Sequence, residues 1–593
     1  MSIRNQCVMV FLLFGVWLSA SFSAFAATPL FCGLDPITNT KSLQAAINVA
    51  VPGETLVLPT GKCVLAKCEV ATGGAICYGA AGRHNSALHI GKKTNIALVG
   101  AADGTSVLKL DPKPPRLIGR HAYCPDSHVL SLVLSKFITL RGFTIDGSDG
   151  ELPEDNKQCP AANGTSRAIA EHMHDVIVEN STDITIARMK LIKAHGDGLN
   201  LIADRNQLSM SRTERVAVTD TQFLANDRAG ITFQRNVGFV SIKNNFFRNS
   251  GNDQDLDMEA TGGSLDRGPY QITIDNNVFE RTKSGIAVTL GTSSTQRAEF
   301  IRFTRNTIRP ASTISGGGCI VIYSANNTTI TNNTVIGGKR CSPIWAQKVT
   351  GLVLDHNRLD GYANVQDGNG VFQQKAVIDI AERVVRRVDS TCGVAPLPAC
   401  PYFIHYPTNI SITNNTLTQH TKFSSGMKLS NADAMSLRAN SIVATNEQNV
   451  LGVIEPASIS RGIDLTLGVP RLSSSTYTNE IKLFNQWLVN GNTVSQFGNA
   501  IRLWQCNPGL TNIGTVSLAA NTISSKQPLP NGIFLDRNDG GIAGFVKQLT
   551  VTDNRFSCGF LAAPKGPLLP NAFIRPAKQL HVGNIGSPMF CFL

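Results

Sequence analysis

The chain has 593 residues, with 54 lysines and arginines against 42 aspartates and glutamates for a formal net charge of +12, and 52 glycines against only 7% aromatic residues. Its length exceeds one ordinary compact core, so it forms either several domains or a single elongated repeat. The basic runs are short, as at Gly91-Lys92-Lys93, and lack interleaved aromatics, which argues against a nucleic acid partner; no later segment approaches 18 uninterrupted apolar residues, which argues against a membrane-spanning helix.

Residues 1–26 read as a cleaved secretory signal: Arg4 precedes an apolar run from Val8 to Leu18, and small residues including Ala24 and Ala26 follow. Export, to the medium or a periplasm, places the mature chain in an oxidising compartment. Of the 14 cysteines, all but Cys7 lie beyond the signal, and the absence of paired CxxC motifs favours disulfides over metal sites. Cys392 with Cys400, and Cys124 with Cys159, are candidate pairs by position alone.

Residues 27–95 are expected to form an amino-terminal cap and the first strands. In 42–63 a short amphipathic helix carrying Leu43, Ala46 and Ile47 is followed by a Pro-Gly turn and a strand. From 96 to 560 two phrases recur. One is an apolar alternation ending in asparagine, as in 241–247, 272–279, 301–308, 328–335, 352–359 and 410–417, returning at 436–442, 517–523 and 551–556. The other follows it, as DGLNL (197–201), AGITF (229–233), SGIAV (284–288), GCIVI (318–322), SGMKL (425–429), RGIDL (461–465) and NGIFL (531–535). Such a period marks a solenoid, in which each unit buries its apolar side only against its neighbours. Alternation over four to six residues between Gly and Asn turns makes the units strands, so the expected fold is all-β, a single-stranded parallel β-helix with rungs about 4.8 Å apart. Asn245, Asn277, Asn306, Asn333, Asn357 and Asn415 are then candidates for a stacked amide ladder. The Pro-rich tail 561–593 reads as a carboxy-terminal cap or loop.

The helix, turn and first strand at 42–63, together with the repeats, resemble the pectate-lyase-like superfamily of right-handed parallel β-helices. The resemblance implies that fold and a carbohydrate-active role, without choosing among lyases, hydrolases, epimerases and proteins with no enzyme activity.

Residues 254–259 break the repeat. If Leu199, Ile231, Leu256 and Ile286 are equivalent inward positions, QDLDME is a rung whose outward side carries Asp255, Asp257 and Glu259 at alternate positions, about 7 Å apart, where neighbouring rungs present Thr232 and Ala287. The turns before it supply Lys193, His195 and Asp197, then Asp227 and Arg228, with Asn200 beside Thr232 and with His172 and His174 one coil upstream. Two longer inserts, 111–128 with Arg116, Arg120 and His121, and 146–167, are candidate walls of a cleft. The acidic row needs compensation, from Arg228, from a bound Ca²⁺ on Asp255, Asp257 and Glu259, or from a retained proton.

These groups fit three functions. A lyase acting on a uronate polymer, favoured by the positive charge, needs its substrate carboxylate neutralised by Arg228 or Ca²⁺ and a base such as His195 or Lys193. In that reading His195, Asp197, Arg228, Asp255, Asp257 and Glu259 are catalytic, and His172, His174, Lys193, Asn200, Arg116 and Arg120 bind substrate. A glycoside hydrolase needs two carboxyls about 5 to 9.5 Å apart. Of the polygalacturonase motifs only His195-Gly196 is present, and the Asp-Pro-His-Asp motif of alginate epimerases is absent. A non-catalytic glycan-binding or surface β-helix is the third. The expected partner is an acidic polysaccharide, and the expected state is a monomer.

Overall fold

The computed structural model describes residues 27–66, 86–112, 128–151, 159–160, 167–168, 173–203, 212–250, 254–259, 267–281, 286–292, 296–309, 318–338, 342–361, 364–366, 372–374, 376–386, 402–420, 425–445, 461–467, 482–497, 499–505, 511–525, 531–537, 546–558 and 579–582. The leader at 1–26, the substrate-binding candidates Arg116, Arg120 and His172, and the cysteine pairs 124/159 and 392/400 lie outside what can be described, apart from the backbone of Cys159.

The repeats wind into a parallel β-helix. One coil runs through Ala229–Phe233, Val237–Lys243 and Phe246–Arg248, and the next through Gln254–Met258, Tyr270–Asp275 and Val278–Glu280; each strand pairs in parallel with its counterpart one coil on. The third strands of the coils make a fifteen-stranded ladder. The first strands that carry the candidate site are β1 (His128–Val133), β2 (Val176–Glu179), β3 (Leu199–Ile202), β4 (Ala229–Phe233), β5 (Gln254–Met258) and β6 (Ile286–Gly291). Among the described residues no helix is long and apolar enough to cross a membrane.

Alternation decides which side chains fill the tube. Leu199, Ile231, Leu256 and Val288 stack inward on consecutive coils, fully buried. The equivalence expected for Ile286 is therefore shifted by two residues, since Ile286 pairs with Gln254; a shift of two preserves which face each side chain takes. Extending that register sets Thr289, not Ala287, beside Asp257. At the centres of the third strands, Phe223, Phe247 and Phe279 stack at centroid distances of 4.7 and 4.6 Å. Such offset aromatic stacks add to the gain from burial alone.

The amide ladder is present and longer than expected. Asn245, Asn277, Asn306, Asn333, Asn357 and Asn415 continue through Asn440, Asn492, Asn521 and Asn554, each Oδ1 accepting the backbone N–H of the ladder residue one coil earlier at 2.8 to 3.0 Å. The left-handed backbone at this corner belongs to the residue before each ladder asparagine, for example Asn276 at φ 54° and Arg305 at φ 54°. The ladder asparagines owe their place to the amide chain, which satisfies buried polar groups at every turn.

The amino-terminal end is closed by α1 (Pro36–Val49), whose Leu43 and Ile47 are buried against the first coils and whose Asp35 caps the helix by accepting the Thr38 N–H at 2.8 Å. A disulfide between Cys32 and Cys63 ties the segment before this helix to strand Lys62–Leu65, and Cys319 is also disulfide-bonded.

Candidate active site

The site grows out of the turns that enter β3 and β4. Gly198 is required where it stands: a Cβ there would meet the Asn226 side-chain nitrogen at 2.6 Å and the Gly230 carbonyl at 2.9 Å. Asn226 accepts the Ala194 N–H at 3.1 Å and donates to the Leu191 carbonyl, which fixes the turn carrying His195 and Asp197. On the outward face Asn200, Thr232 and Asp257 align in register across β3, β4 and β5.

Asp197 is fully buried at the centre of this group. Its Oδ2 accepts from Asn200 Nδ2 at 2.9 Å and lies 3.4 Å from Arg228 Nη1, while Oδ1 has no hydrogen-bond partner among the described residues. Burial pushes its pKa up to about 6, against the pull of Arg228 and Asn200. One coil upstream, His174 Nδ1 accepts the Asp197 backbone N–H at 2.9 Å, which places the ring proton of a neutral imidazole on Nε2. The same nitrogen lies 3.3 Å from Asp197 Oδ2. His174 stacks on His128, the first residue of β1, with ring centroids 5.0 Å apart and planes within 7°.

Arg228 links two coils. Its Nη1 faces Asp197 and its Nη2 donates to Glu259 Oε1 in a close charge-assisted bond. Burial acts against its charge, but Asp197 and Glu259 more than offset that and hold its pKa above the usual arginine range. Because one planar guanidinium touches both, the Asp197 and Glu259 carboxylates stand no further apart than the ~9.5 Å that a hydrolytic carboxylate pair can span. Asp257, two residues before Glu259 and 6% exposed, is pushed well above the ordinary carboxylate range, first by burial and then by the charge of Glu259. Burial and the neighbouring carboxylate thus favour the protonated form of Asp257, while Glu259 is bonded to Arg228.

The other candidates are placed elsewhere. Asp255 was expected on the reactive face; instead it is fully buried, its Oδ1 accepting the Ser250 N–H at 3.0 Å and lying 3.6 Å from Arg281 Nη1. Burial raises it to about 7, partly offset by Arg281. Its role is to fix the turn into β5. Asp255 is thus committed to the Ser250 amide and Arg281, and among the described residues no group of three His, Cys, Asp or Glu side chains is placed to hold a metal ion. Lys193, expected beside the substrate, is half-exposed and pairs with Glu151 at 3.4 Å instead of joining Asp197. His195 is buried with Nδ1 3.0 Å from Asp149 Oδ1, and its Nε2 has no hydrogen-bond partner among the described residues. Sequence reasoning missed His128, Asp149, Arg281 and the buried Asp175, whose pKa is raised well above the ordinary range by burial and by Asp146. The alignment of 128–133 with 174–179 was the available signal for His128 and Asp175.

Comparison with known proteins agrees with this architecture. Residues 174–359, which contain every residue of this cluster except His128 and Asp149, match the family model of the right-handed β-helix region. The chain is a right-handed parallel β-helix. Among solved structures, the A-module of a mannuronan C-5 epimerase from Azotobacter vinelandii is similar at 15% identity and a TM-score of 0.45, over 76% of this chain and 99% of that one. A surface adhesin of Streptococcus pneumoniae is similar at 12% identity and a TM-score of 0.39, over 58% and 93%. An alginate lyase from Paenibacillus sp. is similar at 13% identity and a TM-score of 0.28, over 50% and 92%. No curated protein sequence matches the chain.

Proposed function

We propose that this protein is an exported, carbohydrate-active β-helix that hydrolyses glycosidic bonds of an acidic polysaccharide with the carboxyls of β5 and the turn before β3. The observation that carries the reading is the unequal setting of two neighbouring carboxyls: Asp257 is almost fully buried with its pKa raised well above the ordinary range, while Glu259 is partly exposed and bonded to Arg228. Glycosidic hydrolysis needs one carboxyl that donates a proton to the departing oxygen and one that directs water or attacks the anomeric carbon. Asp257 takes the first role. Glu259, 31% exposed, or Asp197 takes the second, and Asn200 and Arg228 orient Asp197. In return the burial of these charges costs stability, as is common where pKa values are set for chemistry.

The reading favoured from sequence, β-elimination from a uronate, needs a cation free to neutralise the sugar carboxylate. Arg228 is already engaged by two carboxylates, which is why hydrolysis is the better fit to this geometry. The net charge of +12 supports an acidic polymer as the substrate. Export is supported by the leader-like sequence at 1–26 and by the disulfide between Cys32 and Cys63.

The test is to incubate the purified protein with a panel of acidic and neutral polysaccharides, following reducing ends and the ultraviolet absorbance of unsaturated uronates. New reducing ends without absorbance support hydrolysis. Matched growth of both signals means elimination and overturns the assignment, and neither signal across the panel favours a binding protein.

A further inference from the structure

The second strands of the coils carry a different site. Their outward face is a smooth trough of small side chains: Thr185, Ala217, Ser241 and Thr273 align on successive coils, and Thr329 and Val353 continue the line. Between Thr273 and Thr329 the column presents Arg302. Its guanidinium makes no ion pair or hydrogen bond to any described residue, although neighbouring arginines do: Arg305 pairs with Asp275 and Arg267 with Glu299.

Beside this column runs a corner where the coils from Asn95 to Ala434 each turn through a left-handed residue. Asn95, Asn327 and Asn409 occupy it with the side chain best suited to that backbone, whereas Phe300 adopts it at φ 56° and leaves its ring 49% exposed. A bulky residue at positive φ costs conformational energy, and an exposed ring forgoes burial, so Phe300 is doubly unfavourable for folding. Phe137 and Phe239 share the corner, but Lys136 lies 4.8 Å from the Phe137 ring and Tyr270 packs edge-on against Phe239 at 5.6 Å. Phe300 has no ring or cation partner among the described residues. An open cavity of about 480 Å³ lies against it, lined also by Arg302, Gln271, Asn327 and Thr273, and widened where Gly351 follows Asn327 in the corner column.

We propose that this corner is a second glycan subsite, separate from the carboxylate cluster, that holds one uronate unit of an acidic polysaccharide. The apolar face of the sugar ring lies on Phe300, its carboxylate takes the guanidinium of Arg302 in a forked pair, and its hydroxyls meet the amides of Gln271 and Asn327. The inference shares with the proposed function only the idea that the ligand is an acidic polymer. A chain anchored here is kept close to the helix while other segments reach the carboxylates, which raises their effective concentration.

The experiment uses full-length protein carrying Asp257→Asn, so that binding is read without turnover. Hexasaccharides of galacturonate, mannuronate and guluronate, with a neutral hexasaccharide as control, are titrated calorimetrically. The expected result is binding of at least one uronate hexasaccharide, weakened about tenfold by Arg302→Ala and only partly restored by Arg302→Lys, because a charge-assisted contact is lost and the fork is not replaced by an ammonium. Phe300→Ala should weaken acidic and neutral ligands alike, and added salt should weaken only the acidic ones. An unchanged thermal transition in both variants shows that the fold is intact. Failure of all three uronates to bind, or binding unaffected by either substitution, overturns the subsite. Hydrolysis is read separately from reducing ends in the wild type, so either proposal can fail without the other.

Discussion

Exchanging Asp257 for asparagine conserves shape and removes one proton. The structure makes that proton necessary: Asp257 is almost fully enclosed, and ionising it would set a second negative charge beside Glu259. Loss of a positioned general acid lowers turnover by about 10²- to 10⁴-fold, roughly 3 to 5 kcal/mol of barrier. Stability should move the other way. Because the folded pKa of Asp257 is raised above that of the unfolded chain, its contribution is fully present below the unfolded value near 3.8 and is lost as pH rises through the folded value. Asparagine carries no such dependence, so Asp257→Asn should be at least as stable as wild type at pH ~7 and should lose that relative advantage at pH ~4. The assay is kcat/KM by reducing-end release on the polysaccharide that wild type cleaves, alongside melting curves at both pH values. Full activity in the variant would refute the acid role, and a variant whose melting transition collapses at neutral pH would refute the view that this proton is held at a cost to folding.

Asp197 and Asp255 carry the same sign. With folded values of about 6 and about 7, both bind protons in the native state that the unfolded chain has released, so wild-type stability should fall as pH rises from ~4 to ~7, by roughly 3 kcal/mol from Asp197 alone; chemical denaturation across that range checks it. Activity should rise through pH ~6 as Asp197 ionises, read from the acid limb of kcat/KM. Asp255→Ala breaks a buried pair with Arg281 and should cost about 3 to 5 kcal/mol, whereas the folded fraction, isolated at low temperature, should keep its specific activity. Asn306→Ala removes amide bonds to Asn277, Ile274 and Asn333 and should cost about 2 to 4 kcal/mol, with faster hydrogen exchange at the Asn277 amide, whose acceptor is lost.

The fold was legible because a β-helix repeats its physics. The same alternation returns every coil, and the asparagine phrase marks the corner where amides chain together. The carboxylate row at 255–259 was visible as a departure from that repeat, and register alone set Asn200, Thr232 and Asp257 in line. What register cannot give is the partner of a side chain that reaches across a turn. Asp255 turns to Arg281, which lies in the turn after the third strand of its own coil, and His195 turns to Asp149 from a long insert. Lys193 adopts φ 54° and directs its ammonium to Glu151, outcompeting the site for it. Arg302 was hidden for another reason: one charge among many in a basic chain carries no signal until the column around it is known to be small and uncharged.

The central claim is that the raised Asp257 holds a proton beside the Arg228-bonded Glu259. Isotope-edited infrared difference spectra, comparing aspartate-labelled wild type with Asp257→Asn, test it directly. A protonated carboxyl band at neutral pH that disappears in the variant is the predicted result. A wild-type spectrum with no band assignable to Asp257, and ionisation of that group near the ordinary aspartate range, would contradict it.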